Sequence, residues 1–150
     1  MSDAFLIIGR TKDASRISKA SSLKKWAYLQ VDPFLDMVPL AKFCVLLTGD
    51  KYDVIISSFV NQTPNSPNVE PWDFEKLVNP VLLIPEHYVS AIATMDDDQL
   101  PIIAKKMCAL PELKFYKTDP SDMRAHLRRY REFAEKCLKA KKSMLLLLTT

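Results

Sequence analysis

"LDMVPLAKFCVLLTGD", residues 35–50, poses the choice on which the fold turns. An apolar run closing on Thr-Gly-Asp reads either as the entry to a phosphate-binding loop or as the end of a helix. A phosphate cradle needs strand–loop–helix order, with glycines in the loop and a Lys-Ser/Thr pair entering the helix. Here Leu40, Phe43, Cys44 and Leu47 recur at i, i+3, i+4 and i+7, Pro39 stands at the start, and Gly49 follows the last apolar position. That spacing predicts an amphipathic helix, closed by a glycine in the left-handed conformation that glycine adopts cheaply. Gly9 and Gly49 are the only glycines in the chain, which excludes nucleotide binding through a Gly-x-Gly-x-x-Gly turn or a P-loop.

Outward from this helix, "DAFLIIGR" (residues 3–10) reads as a strand. "KDASRISKASSLKKWAYLQ" (residues 12–30) reads as helical but interrupted by serines, and "DVIISSF" (residues 53–59), β-branched and flanked by charge, as a second strand. Residues 61–72, with three prolines and three asparagines, have loop composition. "VLLIP" (residues 81–85) predicts a third strand, with a helix starting near Glu86.

After the aspartates 96–98, Asp98 is expected to be an N-cap, placing Pro101 at the third helical position, where its missing N–H has no partner to lose. Leu100, Ile103, Ala104, Met107 and Cys108 then form one apolar stripe. The last helix is expected to be capped by Asp119, with Pro120 first and Met123, Leu127, Tyr130, Ala134 and Cys137 along one face. "SMLLLLT" (residues 143–149) reads as a strand buried on both faces. Helices and strands without regular βαβ alternation predict an α+β fold, a small mixed sheet packed against several helices in one domain over residues 1–150.

Composition is that of an ordinary globular chain, 48% hydrophobic and 26% charged. The longest apolar run, residues 144–148, is far short of the roughly 20 residues a membrane helix needs. "MSDAFLIIGRTK" places an acid first and has only a short apolar core, unlike a signal peptide. The expected location is the cytoplasm. Cys44, Cys108 and Cys137, with no Cys-x-x-Cys pair, fit buried thiols. Residues 120–150 carry eight Lys/Arg against three Asp/Glu, and residues 1–119 carry thirteen against fifteen. That excess is too small to argue for nucleic acid.

Chemistry-bearing residues are few. His87 and His126 have no partner at a recognised metal-ligand spacing, so neither a metal nor a cofactor is expected. Glu86 and His87 are adjacent, and adjacent helical residues point about 100° apart. Cys44 with a histidine is a conceivable nucleophile pair, but its apolar helical face favours an inert thiol. Asp96, Asp97 and Asp98 stabilise a helix start or form an acidic knob for a basic partner. Arg124, Arg128 and Arg131, at i, i+4 and i+7, form a solvated face or a patch for an anionic partner. Protein is favoured there over nucleic acid because no aromatic stacking platform accompanies them. Trp72, beside Glu70, Asp73 and Glu75 in the Pro-rich loop, either covers the core or anchors an interface.

Three stretches are similar to the YfbM-like family, small bacterial proteins of unknown function: the Leu35-Asp36 start with its Leu46-Leu47-Thr48-Gly49 close, "VLLIPEHYVSAIATMDDDQL" (residues 81–100), and "YREFAEKCLKAKKSMLLLLT" (residues 130–149). The resemblance implies a compact α+β domain with no established activity. Where that family carries a tryptophan and histidines within the helix that follows Leu-Asp, this chain has Leu40, Ala41 and Cys44.

The leading expectation is a non-enzymatic cytosolic domain that binds another protein, as an immunity protein neutralising a toxin does. Its expected contacts are Trp72, Asp73, Asp96, Asp97, Arg124, Arg128 and Arg131. One alternative is an enzyme or small-molecule binder with a pocket near His87 and Cys44. Another is a nucleic-acid binder using the basic C-terminal helix.

Overall fold

A computed structural model describes residues 3–31, 33–34, 36–61, 79–114 and 117–149. The chain runs β1 (Asp3–Gly9), a 3-10 turn (Thr11–Asp13), α1 (Ala14–Lys19), β2 (Ala27–Gln30), α2 (Met37–Thr48), α3 (Tyr52–Asn61), β3 (Val81–Ile84), α4 (Glu86–Ala93), α5 (Gln99–Cys108), α6 (Pro111–Lys114), α7 (Pro120–Ala140) and β4 (Ser143–Thr149). This is an α+β arrangement, as the sequence predicts.

The four strands form one sheet in the order β2-β1-β4-β3. Each neighbouring pair is antiparallel, so the expected mixed sheet is corrected. β1 and β3 run in the same direction, and β4 returns between them, satisfying both with antiparallel ladders.

Pleating divides every strand between two layers. Ala4, Leu6 and Ile8 of β1, Met144 and Leu146 of β4, and Leu82 and Ile84 of β3 face a large core under α2–α5 and α7. Their neighbours Ile7, Leu145, Leu147 and Val81 face a second, smaller core closed by Ala14 and Ile17 of α1, with Leu23 and Trp26 packed at its margin. The rows Leu6–Leu146–Leu82 and Ile7–Leu145–Leu83 are in register across three strands. A strand apolar at consecutive positions is therefore required at β4.

α2 starts at Asp36, whose carboxylate accepts from the Val38 N–H at 2.8 Å, so Pro39 is third rather than first in the helix. It ends as expected on Gly49, in the left-handed region at φ 76°, with the Gly49 N–H donating to Val45 O. α7 also matches its expected caps, Asp119 accepting from Asp122 N with Pro120 in the first turn. Phe34, Phe43 and Tyr130 pack as an aromatic trio, ring centroids 5.3–6.4 Å apart, at the centre of the large core.

Two of the expected elements are also corrected. Residues 53–59 are not a strand but lie within α3: Ile55 and Phe59 are fully buried, with Tyr52 and Ile56 half-buried beside them, a helical spacing. Their β-branched composition is overridden by this packing. Residues 12–30 are helical only as far as Lys19; Ala27–Gln30 instead pairs with β1, Leu29 opposite Leu6 and Tyr28 opposite Ile7. Among the described residues no helix is long and apolar enough to cross a membrane.

Candidate functional site

The residues expected to meet a partner fall on the turn between α4 and α5 and on the outer side of α7. Asp96 is a helix cap: its carboxylate accepts from Gln99 N at 2.8 Å, while the Gln99 side chain accepts from Asp96 N at 3.1 Å. That reciprocal pair is a capping box, and it displaces Asp98 from its expected role. Asp98 has helical backbone angles and makes no side-chain cap bond. Asp97 is turned outward, 82% exposed, yet Arg131 reaches it from α7. Arg131 Nη1 donates both to Asp97 Oδ1 at 2.9 Å and to Met95 O at 3.0 Å. The acidic turn and the arginine ridge are thus one connected surface. Along that ridge Arg124 is half-buried and Arg128 exposed, two turns and one turn respectively from Arg131 toward the helix start. Trp72 and Asp73 lie outside the described residues.

The structure brings His87 and Cys44 toward a common residue, Asp50. Tyr88 OH donates to Asp50 Oδ2 at 3.0 Å, and His87 Nε2 lies 3.4 Å from the same oxygen. Burial, then the Asp50 carboxylate, pushes the Tyr88 hydroxyl up to about 12. Cys44, fully buried, has its thiol pushed up to about 12, by burial first and by Asp50 second. The His87 ring is 67% exposed. A thiol so far from ionisation and from solvent is no nucleophile at neutral pH. Glu86 is exposed and lines a separate cleft of about 490 Å³ with Val89, Leu138, Lys141 and Lys142. Beneath it, Cys137 Sγ donates to Lys142 O at 3.3 Å, tying the end of α7 to β4. Among the described residues no group of three or more His, Cys, Asp or Glu side chains is placed to hold a metal ion.

A site that the sequence reading passed over lies on the other side of the sheet. Arg16, Lys19, Lys24 and Lys25 surround a cleft of about 480 Å³ with Trp26 in its wall. A second cleft, about 340 Å³, is lined by Phe5, Leu23 and Tyr28, and shares Ala20, Ser21 and Ser22 with the first. Residues 10–25 hold six Lys/Arg and one acid, Asp13. That acid is committed: its carboxylate accepts from the Arg10 N–H at 3.1 Å and from the Arg16 guanidinium. The Arg10 N–H first, and Arg16 second, hold its pKa below the ordinary carboxylate value. The signal was present in the sequence, but summing charge over residues 1–119 cancels it against acids elsewhere.

Compared with protein-family models, with curated proteins and with solved structures, the chain matches none.

Proposed function

We propose that this protein is a non-enzymatic binding domain whose recognition surface for a partner protein is the α4–α5 turn together with the adjoining side of α7. The observation that carries the reading is the double contact of Arg131 with Met95 O and Asp97. It ties the exposed Asp97 carboxylate to α7 before any partner arrives. A surface ordered in advance loses less conformational freedom on binding. Acids and bases alternating within one patch select a partner of complementary pattern rather than a uniformly charged polymer. Asp96, Asp97, Arg124, Arg128 and Arg131 would make the contacts, with Trp72 and Asp73 as further contacts proposed from sequence. A cytoplasmic immunity protein that neutralises a toxin is the biological role we favour. The buried, un-ionised thiol of Cys44 weighs against the enzyme alternative at His87.

The test is affinity capture from the native cell with three baits: the wild type, Arg124→Glu/Arg128→Glu, and Lys24→Glu/Lys25→Glu. The reading expects one stoichiometric protein retained by the first and third baits and lost from the second. Expressed alone that protein should arrest growth, and co-expression with the wild-type chain should restore it. A partner retained equally by all three baits would refute the assigned surface, and a captured protein without toxicity would refute the immunity role.

A further inference from the structure

We propose that the thin face of the sheet, over β2 and the segment following α1, binds single-stranded nucleic acid. Three independent features converge there. The first is charge: Arg16, Lys19, Lys24 and Lys25 ring one cleft, while Asp13 is paired with Arg16 and the Arg10 N–H, and Asp3, beyond Phe5 at the far end, accepts from the Gln30 side chain. The second is aromatic surface. Trp26 is half-buried at the wall of the basic cleft, and Tyr28 is 49% exposed two residues further on. Both belong to the same side of the sheet, since Ala27 and Leu29, which alternate with them, pack toward the large core. Tyr28 is braced edge-on by Phe5 of β1, ring centroids 6.2 Å apart. The third is continuity: the two clefts meet along Ala20–Ser22, so a chain crossing from one to the other passes cations and then rings.

Each feature alone has a plainer meaning, a solvated lysine cluster or an exposed tyrosine at a sheet edge. Their overlap fits one ligand chemistry: a flexible backbone of phosphates carrying flat, unpaired bases. Single strands are held by tracking the phosphates with cations and stacking bases on aromatic side chains. A duplex keeps its bases stacked on one another and offers nothing to Tyr28. An acidic protein segment would match the cations and leave the rings unused. This surface lies across the sheet from Arg131 and does not depend on the protein-binding reading.

The test is fluorescence anisotropy of labelled oligouridine and oligodeoxythymidine titrated with the full chain, at several salt concentrations. Binding of either oligomer is expected, and a preference between them names the sugar. The slope of log affinity against log salt should be about −2, from about 0.7 per phosphate neutralised by Lys19, Lys24 and Lys25, Arg16 being paired with Asp13. Tyr28→Ala should weaken binding about tenfold while Tyr28→Phe leaves it within twofold. Lys24→Glu/Lys25→Glu should weaken it more than tenfold. Arg128→Glu/Lys139→Glu on α7 should change it less than twofold. All these positions are exposed, and circular dichroism of each variant confirms the fold. No binding at low salt would overturn the proposal. So would equal affinity for a duplex with no effect of Tyr28→Ala, equal losses from the α7 variant, or full competition by polyglutamate.

Discussion

The two faces of one sheet have been finished in opposite ways. Toward the helices, Leu6, Leu82 and Leu146 lie beneath a layer that continues through Phe34, Phe43 and Tyr130, all almost wholly buried. Toward α1, Ile7, Leu145 and Val81 are just as inaccessible, but among the described residues their cover is a six-residue helix and a short cation-rich segment. Equal burial therefore does not imply an equal layer. The thin side puts aromatic and charged groups within reach of solvent.

Adjacent residues of β4 give the sharpest way to break this contrast. Leu145 and Leu146 are both fully buried and point to opposite faces. Leu146→Ala should cost about 4 kcal/mol and Leu145→Ala about 2 kcal/mol, because a thin cover settles into the gap while a close-packed core cannot. Urea unfolding of the two variants measures this directly; equal losses would mean that the thin layer is as rigid as the thick one. Next in size is Gly49→Val, expected to cost about 1–2 kcal/mol. A Cβ there would meet nothing within 4 Å, so the cost comes from the backbone alone. Arg131→Met should cost about 1 kcal/mol through the lost bond to the Met95 carbonyl. Asp97→Asn should cost under about 0.5 kcal/mol, since that carboxylate is largely exposed. Hydrogen exchange at residues 96–98 should accelerate in the first variant only.

On the thin side, the depressed pKa of Asp13 makes a pH prediction. Its contribution is complete above the ordinary carboxylate value of 3.8 and fades as pH falls through the lower folded value. Acid titration of the wild type should therefore show a loss that Asp13→Asn lacks. The smallest expected effect is chemical. In the native protein at neutral pH, half-buried Cys108 should react with a thiol reagent before Cys44 or Cys137, whose thiols burial raises to about 12 and about 11. Mass spectrometry of the first modified peptide decides it.

Where local pattern and tertiary packing agree, the fold is legible in sequence. α2 with its Gly49 cap, α7 behind Asp119-Pro120, and the doubly buried β4 are of that kind. In α3 the helical spacing of Tyr52, Ile55, Ile56 and Phe59 was present, but β-branched residues obscured it. β2 had no local signal to offer. Lys24, Lys25 and Trp26 look like a helix continuing, and only β1, 19 to 25 residues upstream, turns the next four residues into a strand. For the same reason the clefts around Trp26 and Tyr28 were invisible, since their geometry depends on that pairing. Of the expected contact residues, the spacing of the arginines along α7 was readable. The link from Arg131 to Asp97 was not, because it joins residues 34 apart.

The order of the strands also sets the timing of folding. β4 lies between β1 and β3, and its ladder with β1 aligns Asp3 with Thr149 and Gly9 with Ser143. A ribosome makes β4 after every element it joins. Until residues 143–149 emerge, β1 and β3 have no common neighbour. Contacts of such long sequence separation form slowly, and unpaired apolar strands are the sites at which nascent chains associate wrongly. Assembly of this sheet consequently waits for residues 143–149, and β1 stays without its β4 partner until they are made.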